Sequence, residues 1–567
     1  MWLNPLPMRF NTDSHGLTQG SARAVLLGLS VGLAGWFLLG PLLGDFRRAV
    51  AHPAPLVYTE GVMMWASQEV DRAKSPYGAI EDIPSRYFCY GPAVPVVVSW
   101  LGADGPSYLR AGRTLSGVAL LGAAILCGIL ASRLGAGLAG GIAAGVFFLL
   151  SVFCGHHAWS FRVDTTVVAL GLGGCIAGLS HAQGGGARWL LLAGACGALG
   201  GLTKFTSCFW ALWIFLLCGG GRVLEDQIRR RNWTAVWKGA GGAVCFGTGW
   251  LGGTVAMEIF YPGAIGDQVF GQAESGFNPW GYTRNTIIDA SAMTAVPWAA
   301  AVAGFILGGG GRIVGIAGAA WVLAAGMLLK FGSDINYFFD SFALIAVAAA
   351  VTLTKASPRL GGTILAGGAV ASFFLMANPV RENMPHRMTG EEASRELVAS
   401  RESAYLFRGN ATLCEDPFFP VYHGGAVLVS DPFQASLNPL FSDKARRFAE
   451  DSGRIVSGER IGRALGGELW GNFVGARWTR AAGVPGVGVY LPSDSAKEVR
   501  RRHPSLRLQT VPSEIRFFAQ GGEVLDWGAV AYAFGKLGGG RRTRLVTEDT
   551  TPLDYRVLSG DGGTGGW

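Results

Sequence analysis

Residues Thr114–Ser132 read TLSGVALLGAAILCGILAS, then a single Arg133, then Leu134–Gly155 reads LGAGLAGGIAAGVFFLLSVFCG. Neither apolar block contains a charge, and each is close to the ~20 residues that an α-helix needs to cross a bilayer core. Further uncharged runs stand at Ala24–Leu43 and Thr165–Ala187. Apolar residues that arrive in blocks, not at amphipathic spacing, argue against a single water-soluble domain. The composition agrees: 50% of the 567 residues are hydrophobic, 15% are charged and 87 are Gly. So few charges exclude a disordered chain or a nucleic-acid-coating protein, and no nucleic-acid partner is expected. The formal net charge of +8 describes loops and their preference for the cytoplasmic side. The nine Cys form no CxxC, so neither a zinc site nor a redox pair is signalled.

The runs predict about eleven membrane spans, at roughly 24–43, 114–132, 138–154, 165–182, 189–203, 205–221, 239–257, 293–311, 313–329, 338–354 and 360–377. The first is too long for the apolar core of a cleaved signal peptide. Arg9 and Arg23 precede it, which sets the N-terminus in the cytoplasm. The predicted inner loops then carry Arg133, Arg188, the cluster Arg222, Arg229, Arg230, Arg231 and Lys238, then Arg312, and finally Lys355 with Arg359. Short outer loops hold only the isolated cations Arg162, Lys204, Arg284 and Lys330, which is the positive-inside bias. The expected fold is therefore an all-α polytopic membrane domain over 1–380 with a long first outer loop at about 44–113. An odd number of spans leaves 381–567 outside as a smaller α/β or α+β domain. A bacterial plasma membrane is the expected location.

Polar residues gather at one predicted face. The long first loop holds Tyr58-Thr59-Glu60-Gly61, Arg86 and Tyr87-Phe88-Cys89-Tyr90-Gly91-Pro92. The outer turn between spans three and four carries His156-His157 and Arg162-Val163-Asp164, the next outer turn Thr203-Lys204, and span ten is preceded by Lys330 and Asn336-Tyr337-Phe338-Phe339-Asp340. Ionisable groups at span edges cost stability unless they meet partners or water, so their clustering points to a site. A carboxylate could take the proton of an attacking hydroxyl. Nearby cations could neutralise a departing phosphate, which needs no second carboxyl as acid, unlike glycoside hydrolysis. Glu60 is the expected base and Asp164 the second acid. Lys204, Lys330, Arg86 and Arg162 compete for the phosphate, with Tyr58, Tyr90, Asn336 and Tyr337 around the substrate. The adjacent histidines fit an interfacial polar pair better than a metal site.

The order of these motifs resembles the integral-membrane C-type glycosyltransferases, especially bacterial relatives of protein O-mannosyltransferases and lipid A aminoarabinose transferases. The carriers are Tyr58-Thr59-Glu60-Gly61, Tyr90-Gly91-Pro92, Arg162-x-Asp164, Leu202-Thr203-Lys204 and Asn336-Tyr337-Phe338. Farther on they are Cys414-Glu415-Asp416-Pro417 and Ser430-Asp431-Pro432-Phe433. The resemblance implies an inverting transfer from a polyprenyl-phosphate sugar to a lipid, glycan or protein hydroxyl, with the catalytic acid early in the first loop, at Glu60. This chain departs from the Asp-Glu pair of the O-mannosyltransferases, because Thr59 precedes Glu60. Some members of that family use a divalent metal such as Mg or Mn; no compact oxygen-ligand motif marks one here. A secondary transporter and a non-catalytic membrane scaffold are the alternatives. A transporter is expected to bind near the midplane on broken spans and often to show paired repeats, whereas these charges lie at one boundary.

Overall fold

The computed structural model describes residues 44, 46–52, 59–78, 86–153, 160–219, 228–266, 280–308, 310–330, 333–356 and 367–368, with short stretches at 411–412, 421–422, 426–427, 455–458, 478–484, 487–492, 507–510, 515–518, 544–547 and 553–554. The expected span 24–43, nearly all of 360–377, Tyr58, His156-His157 and Cys414–Pro417 lie outside the described residues.

Within the stretch expected as the long first loop lie two helices, α1 (Thr59–Asp71) and α2 (Ala93–Leu101). The α1 residues from Glu60 to Glu69 are all buried. Helix α3 (Gly105–Ala131) starts before its apolar run does. Asp104 accepts a hydrogen bond from the Ser107 amide while the Ser107 hydroxyl caps the Asp104 amide, and Pro106 lies in the first turn. This reciprocal cap starts the helix early and draws Arg113 into it, a residue that the span at 114–132 leaves in the loop.

Helices α4 (Gly137–Phe153), α5 (Asp164–Ala182), α6 (Arg188–Gly201), α7 (Phe209–Cys218), α8 (Trp233–Phe260), α10 (Ala295–Ile306), α11 (Gly311–Met327) and α12 (Phe339–Ala356) fall on the remaining apolar runs. A further helix, α9 (Trp280–Met293), meets α10 at a bend of 64°. Among the described residues four helical runs are long and apolar enough to cross a membrane, or five if that bent pair counts as one. One of the four, Gly105–Val152, is folded back on itself. Gly135 and Gly137 adopt φ of +100° and +64° beside Arg133, conformations open to glycine without steric cost. Added Cβ atoms at Gly128 and Gly145 would each lie 2.8 Å from a carbonyl oxygen, of Gly141 and Ala124, so α3 and α4 run antiparallel with their backbones nearly touching.

Helices α6 and α8 touch more closely still. A Cβ on Gly197, Gly249, Gly253 or Gly201 would overlap a carbonyl of the facing helix, that of Phe246, Gly194, Ala198 or Trp250. The pairs 197–246 and 201–250, like 194–249 and 198–253, advance together, so these two helices are parallel. Small residues permit such close helix approach in membranes. Helix α12 lies at the centre of the bundle: from Ser341 to Leu353 every residue is buried.

The described distal stretches are strands. A parallel pair joins β1 (Ala411–Thr412) to β2 (Ala426–Val427). Strands β3 (Ile455–Gly458), β4 (Trp478–Val484), β5 (Val487–Pro492) and β6 (Arg507–Thr510) form an antiparallel sheet in the order β3-β5-β4-β6. Strands β7 (Ile515–Phe518), β8 (Arg544–Thr547) and β9 (Leu553–Asp554) form another. Val421 is fully buried and belongs to one apolar cluster with residues of α1, α2 and α3.

Candidate active site

Three separate segments deliver polar side chains to one point. Asp164 is the first residue of α5, where its carboxylate meets the positive end of the helix dipole. Lys204 is an extended residue between α6 and the short 3-10 turn Phe205–Cys208 that leads into α7. Asn336 lies in a second 3-10 turn, Ile335–Phe338, which runs into α12 and is capped by Asp334 accepting from the Ile335 amide.

Asp164 Oδ1 accepts from Lys204 Nζ at 2.7 Å and from Asn336 Nδ2 at 2.8 Å, while Oδ2 accepts from Arg162 Nε at 2.8 Å. Arg162, Asp164, Lys204 and Asn336 are all buried. The Tyr337 ring lies under the ammonium, 4.3 Å from Lys204 Nζ. Arg162 Nη1 reaches the Thr59 hydroxyl at 3.4 Å, which brings the start of α1 to the same point. Burial alone would favour the free amine of Lys204, but the Asp164 carboxylate reverses this and holds its pKa above the ordinary value. For Arg162, burial again opposes the charge, and the Asp164 carboxylate outweighs it. Burial pushes the Tyr90 phenol well up, so it faces Arg162 as a neutral group.

The Tyr90 segment is clasped to the Lys204 segment. Gly91 N–H donates to Thr203 O at 2.9 Å and Ala93 N–H to Leu202 O at 3.0 Å. A Cβ at Gly91 would overlap the Leu202 carbonyl. Behind the clasp, the Tyr77 hydroxyl donates to Tyr90 O at 2.6 Å, and the Tyr77, Phe88, Tyr90 and Tyr261 rings pack together.

Glu60 occupies a different environment from the open position expected of a base. Both its oxygens accept from Arg113, Oε1 from Nε at 2.8 Å and Oε2 from Nη2 at 2.7 Å, and Oε1 also accepts from the Phe161 amide at 2.7 Å. Neither side chain has any exposure. The Arg113 Nη1 donates to the carbonyls of Ala49 and His52. Sequence reasoning passed over Arg113; its signal was a cation at the edge of an apolar run, which in a membrane protein demands a buried partner.

One of the expected phosphate ligands, Arg86, lies elsewhere. Arg86 donates to the Ser75 carbonyl at 3.1 Å and stands 3.9 Å from Glu69, near the opposite end of α1 from Glu60. Lys330 is partly buried, and its backbone turns between Met327 and Ser333. Among the described residues, no group of three His, Cys, Asp or Glu side chains is placed to hold a metal ion. The oxygens of Asp164 and Glu60 already face the cations Lys204, Arg162 and Arg113.

No protein-family model matches the sequence, and no curated protein matches it. Solved structures do. ArnT from Cupriavidus metallidurans in the apo state superposes with a TM-score of 0.51 at 14% identity, over 79% of this chain and 95% of the other. The fold is similar to that of ArnT. A second ArnT structure, bound to undecaprenyl phosphate, matches with a TM-score of 0.50 at 14% identity over 76% of this chain and 94% of the other. An Archaeoglobus fulgidus oligosaccharyltransferase in complex with Zn and sulfate is a looser likeness, with a TM-score of 0.41 at 10% identity over 80% and 73%. The ArnT-like arrangement agrees with the fold implied by the motif order; the site rests on the contacts above.

Proposed function

We propose that this chain transfers a sugar, hexose or pentose, from a polyprenyl-phosphate carrier to a hydroxyl on a lipid, glycan or protein at the outer rim of a bacterial plasma membrane. The observation that carries the reading is the Asp164 carboxylate gripped by Arg162, Lys204 and Asn336 in one buried cluster. Lys204 has three N–H donors, and Asp164 takes one. The charges of Lys204 and Arg162 would neutralise a departing phosphate, an electrostatic effect that is largest where water is excluded. The bound undecaprenyl phosphate of the ArnT structure supports the choice of carrier.

In this reading Glu60 acts through structure. Its pair with Arg113 ties α1 and α3 to the Phe161 amide, and so places Arg162 and Asp164. A single displacement inverts the anomeric centre: the acceptor oxygen bonds to the anomeric carbon as the bond to the phosphate oxygen breaks. Lys204, Arg162, Asn336, Tyr337 and Tyr90 bind the donor end; Tyr58, Lys330 and Arg86 are left to the acceptor or the entry path. The eleven spans, the cytoplasmic N-terminus and the extracytoplasmic 381–567 domain complete the proposal. The antiparallel α3–α4 pair, the parallel α6–α8 pair and the positive-inside loops support this topology.

The test is transfer by the purified protein in liposomes, with a panel of radiolabelled polyprenyl-phosphate sugars and membrane-extracted acceptors. Transfer from one carrier sugar is expected, with Asp164→Asn and Lys204→Met each abolishing it. A folded protein inactive with every carrier would overturn the reading, as would cysteine labelling that placed residues 204 and 337 on opposite sides of the membrane.

A further inference from the structure

The mechanism above leaves one question of chemistry open: where the proton of the attacking hydroxyl goes. A base needs a free lone pair that a substrate can reach. Glu60 is fully buried and its oxygens take three hydrogen bonds, from Arg113 and Phe161. The Asp164 oxygens take another three, two from cations. Hydrogen bonds and cations on the ionised form make a carboxylate a poor proton acceptor.

A third carboxylate lies next to this cluster. Asp340 is the second residue of α12, four residues after Asn336 and three after Tyr337, which lie in the 3-10 turn that leads into that helix. The run from Phe339 to Leu353 is buried at every position except Asp340, which is partly exposed. Lys204 and Asp164 lie within electrostatic reach of Asp340, and Trp210 faces it from the start of α7. The buried Trp210 Nε1 has no hydrogen-bond partner among the described residues. No cation among the described residues forms an ion pair with Asp340 at contact distance, in contrast to the other two acids.

We propose that Asp340 is the general base of the transfer, a role resting on the sugar-transfer reading above. As the acceptor oxygen bonds to the anomeric carbon, its proton passes to the Asp340 carboxylate. The electron pair of the breaking anomeric C–O bond leaves on the phosphate oxygen, beside Lys204 and Arg162. The products are the glycosylated acceptor and polyprenyl phosphate, and Asp340 then returns its proton to water.

The experiment compares wild type, Asp340→Asn and Asp340→Glu in the liposome assay. Each protein is first checked for an unchanged thermal transition and for binding of polyprenyl phosphate alone. Asp340→Asn is expected to lower kcat at least ~100-fold, to leave polyprenyl phosphate affinity within about threefold, and to remove the acid limb of the pH–rate profile. The groups facing Asp340, namely Lys204 before α7, Asp164 and Cys175 on α5, and Cys208 beside α7, are unchanged in all three proteins. Asp340→Glu is expected to recover part of kcat and to bring back an acid limb displaced from that of wild type. Near-wild-type transfer by Asp340→Asn overturns the assignment, and so does a loss confined to polyprenyl phosphate binding, which would make Asp340 a positioning residue for Lys204. If Asp340→Asn does not fold, the glutamate variant decides: an acid limb identical to that of wild type overturns the proposal, and a displaced one supports it. A wild type inactive with every carrier removes the sugar-transfer reading itself and the base with it.

Discussion

Glu60 and Arg113 meet through two parallel hydrogen bonds of 2.8 and 2.7 Å in a place with no solvent exposure. A bidentate pair of this kind is strong because both partners are ionised and planar. Taking one partner away leaves a bare buried charge, which costs about 3–5 kcal/mol. Glu60→Gln is therefore expected to lower stability by about that amount, read from thermal unfolding in detergent. The double variant Glu60→Gln with Arg113→Met should recover part of the loss. Unchanged stability in Glu60→Gln would return Glu60 to the role of an available base.

Gly91 gives a second prediction. Its Cβ position is filled by the Leu202 carbonyl, so Gly91→Ala must prise the Tyr90 segment from the Lys204 segment. Overpacking of this kind costs about 1–3 kcal/mol. Both a lowered unfolding midpoint and a larger drop in transfer are expected, because Lys204 moves with the clasp. Gly122→Ala, where nothing lies within 4 Å of the added carbon, is the control and should show neither.

The Tyr337 ring under Lys204 gives a third. Cation–π attraction over 4.3 Å contributes about 0.5–2 kcal/mol. Tyr337→Phe keeps the ring and is expected to retain donor affinity, whereas Tyr337→Ala should weaken binding of polyprenyl phosphate by roughly 2- to 30-fold on that range. Equal affinities in the two variants would show that the ring does not support the ammonium.

The pH response of Lys204 is a fourth. Its pKa in the fold is raised above the ordinary 10.5, with burial opposing and Asp164 prevailing. A raised pKa means that the stabilisation is fully present below the unfolded value and is lost only as pH climbs through the folded one. The stability difference between wild type and Lys204→Met should therefore be flat from neutral pH up to that ordinary value. It should shrink only above it, as followed by thermal scans across pH. Shrinkage near neutrality would mean that the amine is deprotonated there.

The sequence makes the site's position legible but not its internal pairing. Asp164, Lys204 and Asn336 stand out because each interrupts or borders an apolar run, where a polar side chain is costly without a partner. The helices on those runs follow from the same contrast, since backbone groups in lipid must be satisfied within the segment. Arg113 could not be matched to Glu60 this way: 53 residues separate them, and the capping box at Asp104 that pulls Arg113 into α3 outweighs the hydropathy edge. Arg86 was grouped with the site because it shares the first loop, yet α1 carries Glu60 and the Arg86 partner Glu69 near opposite ends. Asp340 read as the polar start of a span; only the packing of every neighbour around it singles it out.

The glycine seam between α6 and α8 reaches beyond packing. With carbonyl against α-carbon and no side chain between them, these two rods are joined like planks without a gap. If the proposed carrier lipid binds here, its isoprenoid tail finds no doorway at this seam and enters along another flank. The turn that bears Lys204 follows directly on the joined pair, which fixes where its ammonium stands.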